Sequence, residues 1–241
     1  MVGFHRRRYW LNFRAHGLYS MRYLRNICLR PELLRAAVSF WDLEVHVFRF
    51  GDQELCPTVE EFRAYLEGFS SGGVIIPPVR ESAYRVLVAA FGLGDGASRY
   101  LVKNDHLNVM RLIELFSPSS DLGDMTYQTR RMTALCMCLL AAYLSVPYAG
   151  HASSTLVGVA VQVEARKDVV PIVLAKTLMG LDKVHFGETE TFGGSPLLLQ
   201  VSFSLSSPFS GFSYVLILPQ SLGLAFYGFL LVFSLPTDLA L

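Results

Sequence analysis

Gly92-Leu93-Gly94-Asp95-Gly96-Ala97 fits the loose dinucleotide-binding pattern, with alanine in the last place. Such a loop holds a pyrophosphate only where it joins a strand to a helix and an acid follows ~20 residues on to bind a ribose. Glu114 stands at a tolerable distance, but Tyr84, Leu87, Val88 and Phe91 give residues 80–91 a helical stripe, so the glycines read as a helix stop. Cys136 and Cys138 are the closest pair of thiols. Residues two apart on a helix point to different faces, so they read as core residues rather than metal ligands. His5, His16, His46, His106, His151 and His185 are scattered and match no zinc spacing. Ser195, in Gly193-Gly194-Ser195-Pro196, lacks the nucleophile-elbow pattern of a hydrolase, and Pro196 suits the first position of a helix. These residues point to no catalytic, cofactor-binding or metal-binding set, and no small-molecule substrate is expected.

Arg6-Arg7-Arg8, followed by Tyr9 and Trp10, is the strongest candidate for binding a macromolecule. Arginines neutralise phosphates and aromatic rings stack on bases, so this string suits nucleic acid. The same acid-free stretch would also suit a mitochondrial presequence, although it has few serines, or a solvated arm. The opening MVGFHRRRYW lacks the apolar run of a secretory signal. Four sparse cysteines among 241 residues argue against a disulfide framework and fit a reducing compartment.

The net charge of +1 hides a segregation. Residues 1–35 hold eight arginines and one acid, Glu32; residues 36–190 hold 13 basic and 18 acidic residues; residues 191–237 hold no charged residue and no histidine. A basic arm, a mildly acidic body and a neutral end suggest different surroundings for each. The body's net acidity leaves no expectation of a second basic patch. Tyr214 to Leu235 is uncharged and rich in Leu, Phe, Val and Ile. About 20 such residues suffice to cross a bilayer. Pro219 near the start and the absence of flanking Lys or Arg weigh against a span, so a buried core segment stands as the alternative.

The elements that would position these residues are mostly helices. A basic amphipathic helix is expected over residues 18–30, and a short core helix from Pro31 to Phe40 with Leu33, Leu34, Ala37 and Val38 on one face. His46 to Phe50 alternates like a half-buried strand; Gly51-Asp52 is a turn, and Glu54-Leu55 the return strand. Thr58 and Glu61 form a capping box for a helix to about Leu66. Residues 70–78 read as a Ser/Gly/Pro linker. Asn104 or Asp105 is expected to cap a helix through Phe116, with Leu107, Met110, Ile113 and Leu115 apolar. Thr126 to Val146 reads as the central core helix, and Pro171 to Leu181 as a further helix. Trp41, Phe48, Phe50 and Phe62 are expected to be core residues around the hairpin.

Several strings resemble a plant domain family found in retrotransposon-derived reading frames and similar to the aminotransferase-like plant mobile domain. They are Phe40-Trp41-Asp42, Val47 to Gly51, Leu55 to Phe62, Pro171 to Leu178 and Gly193 to Val201. The resemblance covers roughly residues 30–203 in several blocks. It implies a helical domain from a mobile-element lineage, with no established catalytic residues to carry over. The label "aminotransferase-like" would imply pyridoxal-phosphate chemistry, which needs a Schiff-base lysine, a partner for the pyridinium and a phosphate cup. Lys176 is the lysine inside a shared block, and no phosphate-binding glycine loop lies near it. Family members continue after the last block with a tryptophan and a charged helix; here Val201 is followed by Ser202-Phe203-Ser204-Leu205 and an uncharged run.

The fold class expected is mainly α: a multi-helix globular bundle with a small β-hairpin near residues 46–56 and an apolar C-terminal segment. Its parts would be a basic arm over 1–30, a helical domain over 31–205 and an apolar tail over 206–241, with a possible span at 214–235. The function expected is a non-enzymatic interaction domain of mobile-element origin. Protein or nucleic acid would be its partner, the latter through Arg6, Arg7 and Arg8, in the nucleus or cytosol. The alternative is a tail-anchored membrane protein with the same domain facing the cytosol.

Overall fold

A computed structural model of the chain describes residues 30–66, 73–77, 83–117, 124–141, 150–189 and 192–206. Arg6, Arg7 and Arg8, the helix expected over 18–30, and the apolar tail beyond Ser206 lie outside the described residues.

Pro31 opens helix α1 (Pro31–Val38), whose Leu34 and Ala37, one turn apart, are buried. A three-stranded antiparallel sheet follows: β1 (Trp41–Asp42), β2 (Val47–Phe50) and β3 (Gln53–Leu55). The expected hairpin is therefore β2–β3, with Trp41–Asp42 added as a third strand. Register pairs Trp41 with Phe48 and Phe48 with Leu55. The two-residue side-chain period then turns Phe48 into the core and Arg49 outward. Helix α2 (Val59–Tyr65) starts with the expected capping box: the Glu61 amide donates to Thr58 Oγ1 at 3.2 Å, and the Thr58 amide to Glu61 Oε2 at 3.3 Å.

Part of the expected linker is built into the fold. Ile75 is buried, its amide donates to the Asp168 carbonyl at 3.3 Å, and Gln162 bonds both the amide and the carbonyl of Ile76. Helix α3 (Ala83–Phe91) buries Ala83, Leu87 and Phe91. Tyr84, expected in the buried stripe, is instead 38% exposed. The stripe runs through 83, 87 and 91 because these positions are a clean turn apart. Gly92 stops α3 at φ +60 and Gly94 opens α4 (Asp95–Leu101), so the glycine string joins two helices and no strand precedes it.

The segment after α4 departs from expectation. Asn104 and Asp105 do not cap a helix; both take positive φ in the turn of a hairpin, β4 (Val102–Lys103) and β5 (His106–Asn108). Asparagine and aspartate tolerate that left-handed conformation better than other side chains. Helix α5 (Val109–Phe116) starts only afterwards, capped by Asn108 Oδ1, which accepts from the Arg111 amide at 3.0 Å. Met110 and Leu115 are exposed, and Leu112 and Phe116 form the buried side. The strand β6 (His151–Ser153) completes a second antiparallel sheet beside β5.

Helix α6 (Met125–Leu139) is capped by Asp124 and buried continuously from Arg131 to Leu139, in keeping with the central helix expected. Helices α7 (Leu156–Glu164), α8 (Val170–His185) and α9 (Pro196–Ser206) follow. Nine helices and two small sheets thus make the described residues mainly α. A large core surrounds α6. A smaller one gathers Leu34, Ala37, Trp41, Phe48, Leu181, Leu199 and Phe203. Helices α8 and α9 contribute to both, and Leu178 packs against each.

Trp41 is 3% exposed and its ring lies 4.6 Å from that of Phe48. Trp41→Ala is expected to cost about 3–5 kcal/mol in denaturant unfolding. A loss under ~0.5 kcal/mol, the range of surface substitutions, would contradict its place in the core.

Candidate functional site

Segments far apart in sequence meet around the smaller core. Trp41 Nε1 donates to Asp182 Oδ1 at 2.8 Å, tying β1 to α8. His46, in the turn before β2, places Nε2 3.3 Å from Asp182 Oδ2. Thr177 accepts from the Ser195 amide at 2.9 Å while its hydroxyl donates to the Val173 carbonyl at 2.7 Å. Ser195 Oγ accepts from the Leu198 amide at 3.3 Å, so the serine caps α9, as its place before Pro196 suggests. Gly194, just before the serine, and Gly180 of α8 allow close approach. A Cβ on Gly194, at φ +129, would meet the backbone of Thr177, and one on Gly180 would collide with the Gly193 carbonyl.

Glu61 extends the same seam: Ser202 Oγ donates to its Oε2 at 3.0 Å, linking α9 to the cap of α2. Phe203 lies edge-on to Phe48 with ring centroids 4.7 Å apart. Ser202 and Phe203 are thus packed into the fold. Arg63 Nη2 donates to Asp168 Oδ2 at 2.8 Å, and Asp168 Oδ1 accepts from the Val170 amide at 3.0 Å at the start of α8. Arg49 bridges Asp42 at 2.6 Å and Glu54 at 2.9 Å across the exposed face of the first sheet, and the hydrogen bond to Glu54 holds its pKa above the ordinary value.

Cys136 and Cys138 are both buried although they are two residues apart, because α6 is covered all round. Burial pushes both thiols up, aided at Cys136 by the nearby Glu164 carboxylate and at Cys138 by Cys136. Neither is a ready nucleophile, since thiolate is the reactive form. Partial burial, then Glu61, pushes Cys56 up as well. Burial also raises Glu164, while the hydrogen bond it accepts from Thr133 Oγ1 opposes the shift. Among the described residues, no group of three or more His, Cys, Asp or Glu is placed to hold a metal ion, and no helix is long and apolar enough to cross a membrane.

A surface that the sequence did not announce forms at the second sheet. The β4–β5 turn sets Lys103 opposite His106 on the outward face, with Leu107 inward. Arg99 and Tyr100 stand on the adjoining last turn of α4, and Arg111 on the first turn of α5. The Arg111 guanidinium lies 4.0 Å from the Tyr100 ring centroid, and its Nη1 donates to the Tyr100 carbonyl at 2.7 Å. Among the described residues Arg99, Lys103 and Arg111 form no ion pair, whereas Arg49 and Arg63 do. Residue spacings of four and eight do not read as a basic run; a hairpin between two helices is what gathers them.

Comparison with protein-family models, curated proteins and solved structures finds no match.

Because burial holds Glu164 above its ordinary 4.5, its ionisation weakens the fold. The cost is absent below the unfolded value and grows as pH rises through the folded one. Glu164→Gln is expected to flatten the fall of melting temperature from pH 4.5 toward neutrality; an unchanged pH profile would contradict this assignment. Gly180→Ala is expected to lose about 1–3 kcal/mol or more in denaturant unfolding, because backbone must move to admit the methyl; wild-type stability would refute the close approach of α8 to Gly193.

Proposed function

We propose that this chain is a non-enzymatic helical interaction domain of mobile-element origin, acting in the nucleus or cytosol with protein or nucleic acid as partner. The observation that carries this reading is the polar seam. Trp41, Thr58, Glu61, Arg63, Thr177 and Asp182 direct their hydrogen-bonding groups at helix caps and at distant parts of the same fold. Partly or fully buried polar pairs of this kind specify which elements meet. Trp41, Thr58, Glu61 and Thr177 of that seam lie in the strings that resemble the plant family, which supports reading them as architecture shared with a lineage rather than as a reaction centre. The thiols inside the body are raised in pKa, which opposes nucleophilic use.

Arg6, Arg7 and Arg8 with Tyr9 and Trp10 carry the chemistry for a nucleic-acid partner. The second reading is a tail-anchored membrane protein, favoured by the uncharged run from Tyr214 to Leu235.

Binding of the full chain to single-stranded oligonucleotides over about 50–200 mM salt tests the first. Replacing Arg6, Arg7 and Arg8 by Gln is expected to lower the log–log salt slope by roughly 2, at ~0.7 per neutralised phosphate. An unchanged slope would remove the arm from the interface. Carbonate extraction of cell membranes tests the second reading: an anchor holds the chain in the pellet, and full release to the supernatant rejects it.

A further inference from the structure

We infer that the outward side of the β4–β5 hairpin, with the adjoining ends of α4 and α5, binds single-stranded nucleic acid, Tyr100 stacking on a base and Arg99, Lys103 and Arg111 facing phosphates. This extends the proposed interaction role and rests on its nucleic-acid branch, but it places the interface on the folded body and not on the arm.

Charge points there first. Residues 99–111 hold Arg99, Lys103 and Arg111 against one carboxylate, Asp105, whereas residues 36–190 as a whole hold 13 basic and 18 acidic residues. An excess of cations is therefore concentrated on one small surface of an acidic body. Glu114 lies one turn beyond Arg111 and bounds the surface. Because these three cations form no ion pair among the described residues, a polyanion need not displace a resident carboxylate.

The aromatic ring points the same way. Tyr100 is 56% exposed, yet its surroundings are ordered: Arg111 lies over the ring and is held there by its bond to the Tyr100 carbonyl. A free arginine side chain loses rotamer entropy on binding; here much of that ordering is already in place. An exposed ring beside a fixed cation is the arrangement that tolerates any base, because every base has a π-face. Bases in a duplex are stacked on one another and cannot reach such a ring, so the surface fits a single strand. Lys103 and His106 stand side by side on the same face, in line with the ring-bearing end of α4.

Fluorescence anisotropy of the full chain with labelled oligothymidylate, oligouridylate and a duplex, each about 20 nucleotides long, tests this. The variants are Arg99→Gln with Lys103→Gln, Tyr100→Ala, Tyr100→Phe, and the triple replacement of Arg6, Arg7 and Arg8 by Gln. Removing Arg99 and Lys103 is expected to lower the salt slope by about 1.4, at ~0.7 for each phosphate left without its cation. Tyr100→Ala is expected to weaken binding about five-fold or more at fixed salt, and Tyr100→Phe to restore it. Arg99, Tyr100 and Lys103 are exposed, so the melting temperatures of the Arg99/Lys103 pair and of Tyr100→Phe should match wild type; a weakened Tyr100→Ala protein with matching melting is decisive. Preference for the thymidylate or the uridylate strand assigns DNA or RNA, and either supports the surface. Tighter binding to the duplex, or wild-type binding by both the Arg99/Lys103 and Tyr100→Ala proteins, overturns it. If only the arm variant loses affinity, the arm binds alone and this inference fails while the arm reading stands. If only the body variants lose affinity, the reverse holds. A wild-type chain that binds none of the strands ends both and leaves a protein partner.

Discussion

Nine consecutive side chains of α6, from Arg131 to Leu139, are buried, so this part of the helix has no solvent side. Such a helix cannot find its place by turning an apolar stripe inward; it has to be surrounded. Helices α3, α5 and α7 pack on it, and the larger core is built between them. The constraint also explains the few polar groups at the centre. Thr133 lies in the middle of the buried run, and its hydroxyl is matched by the Thr129 carbonyl and by Glu164 of α7. Burying a hydroxyl without a partner would cost more than the bonds gain, so α7 brings a carboxylate to a place that raises its pKa.

The second core depends on this one through α8 and α9. Each helix places part of its length in the larger cluster and part in the smaller, with Leu197 and Leu198 in the first and Leu199 and Phe203 in the second. Where the two helices approach, Gly180 and Gly194 remove the side chains that would hold them apart. The first sheet is then fastened to α8 by the indole of Trp41 and the carboxylate of Asp182. Apolar burial supplies most of the stability in such an arrangement, while the directional bonds decide which partner each element takes.

Outside the cores, charge is distributed by position. Arg49 and Arg63 are paired with carboxylates and belong to the architecture. Arg99, Lys103 and Arg111 lie on the periphery, where the second sheet meets its flanking helices, and are exposed. A body that is acidic in sum can therefore present a locally basic face, because the potential near a surface follows the nearest charges when salt screens the rest within ~8–10 Å.

Features written in neighbouring residues were legible in the sequence. The Thr58–Glu61 box, the proline starts at Pro31 and Pro196, the β2–β3 hairpin around Gly51-Asp52 and the apolar helix after Asp124 all arise from interactions within a few positions. The features that differ from expectation depend on distant partners. Leu107, Met110 and Ile113 have helical spacing, but His106–Asn108 pairs with His151–Ser153 more than forty residues on, and that ladder turns Asn104-Asp105 into a hairpin turn. Likewise neither the meeting of Trp41 with Asp182 nor the placing of Arg111 over Tyr100 has a local signature. Hydropathy period, capping and turn chemistry act over one or two turns of chain, so the sequence by itself determined the mainly helical character and many of the element starts. Strand pairing, helix packing and shared charge surfaces join residues that become neighbours only after chain closure, and those the tertiary structure alone decided.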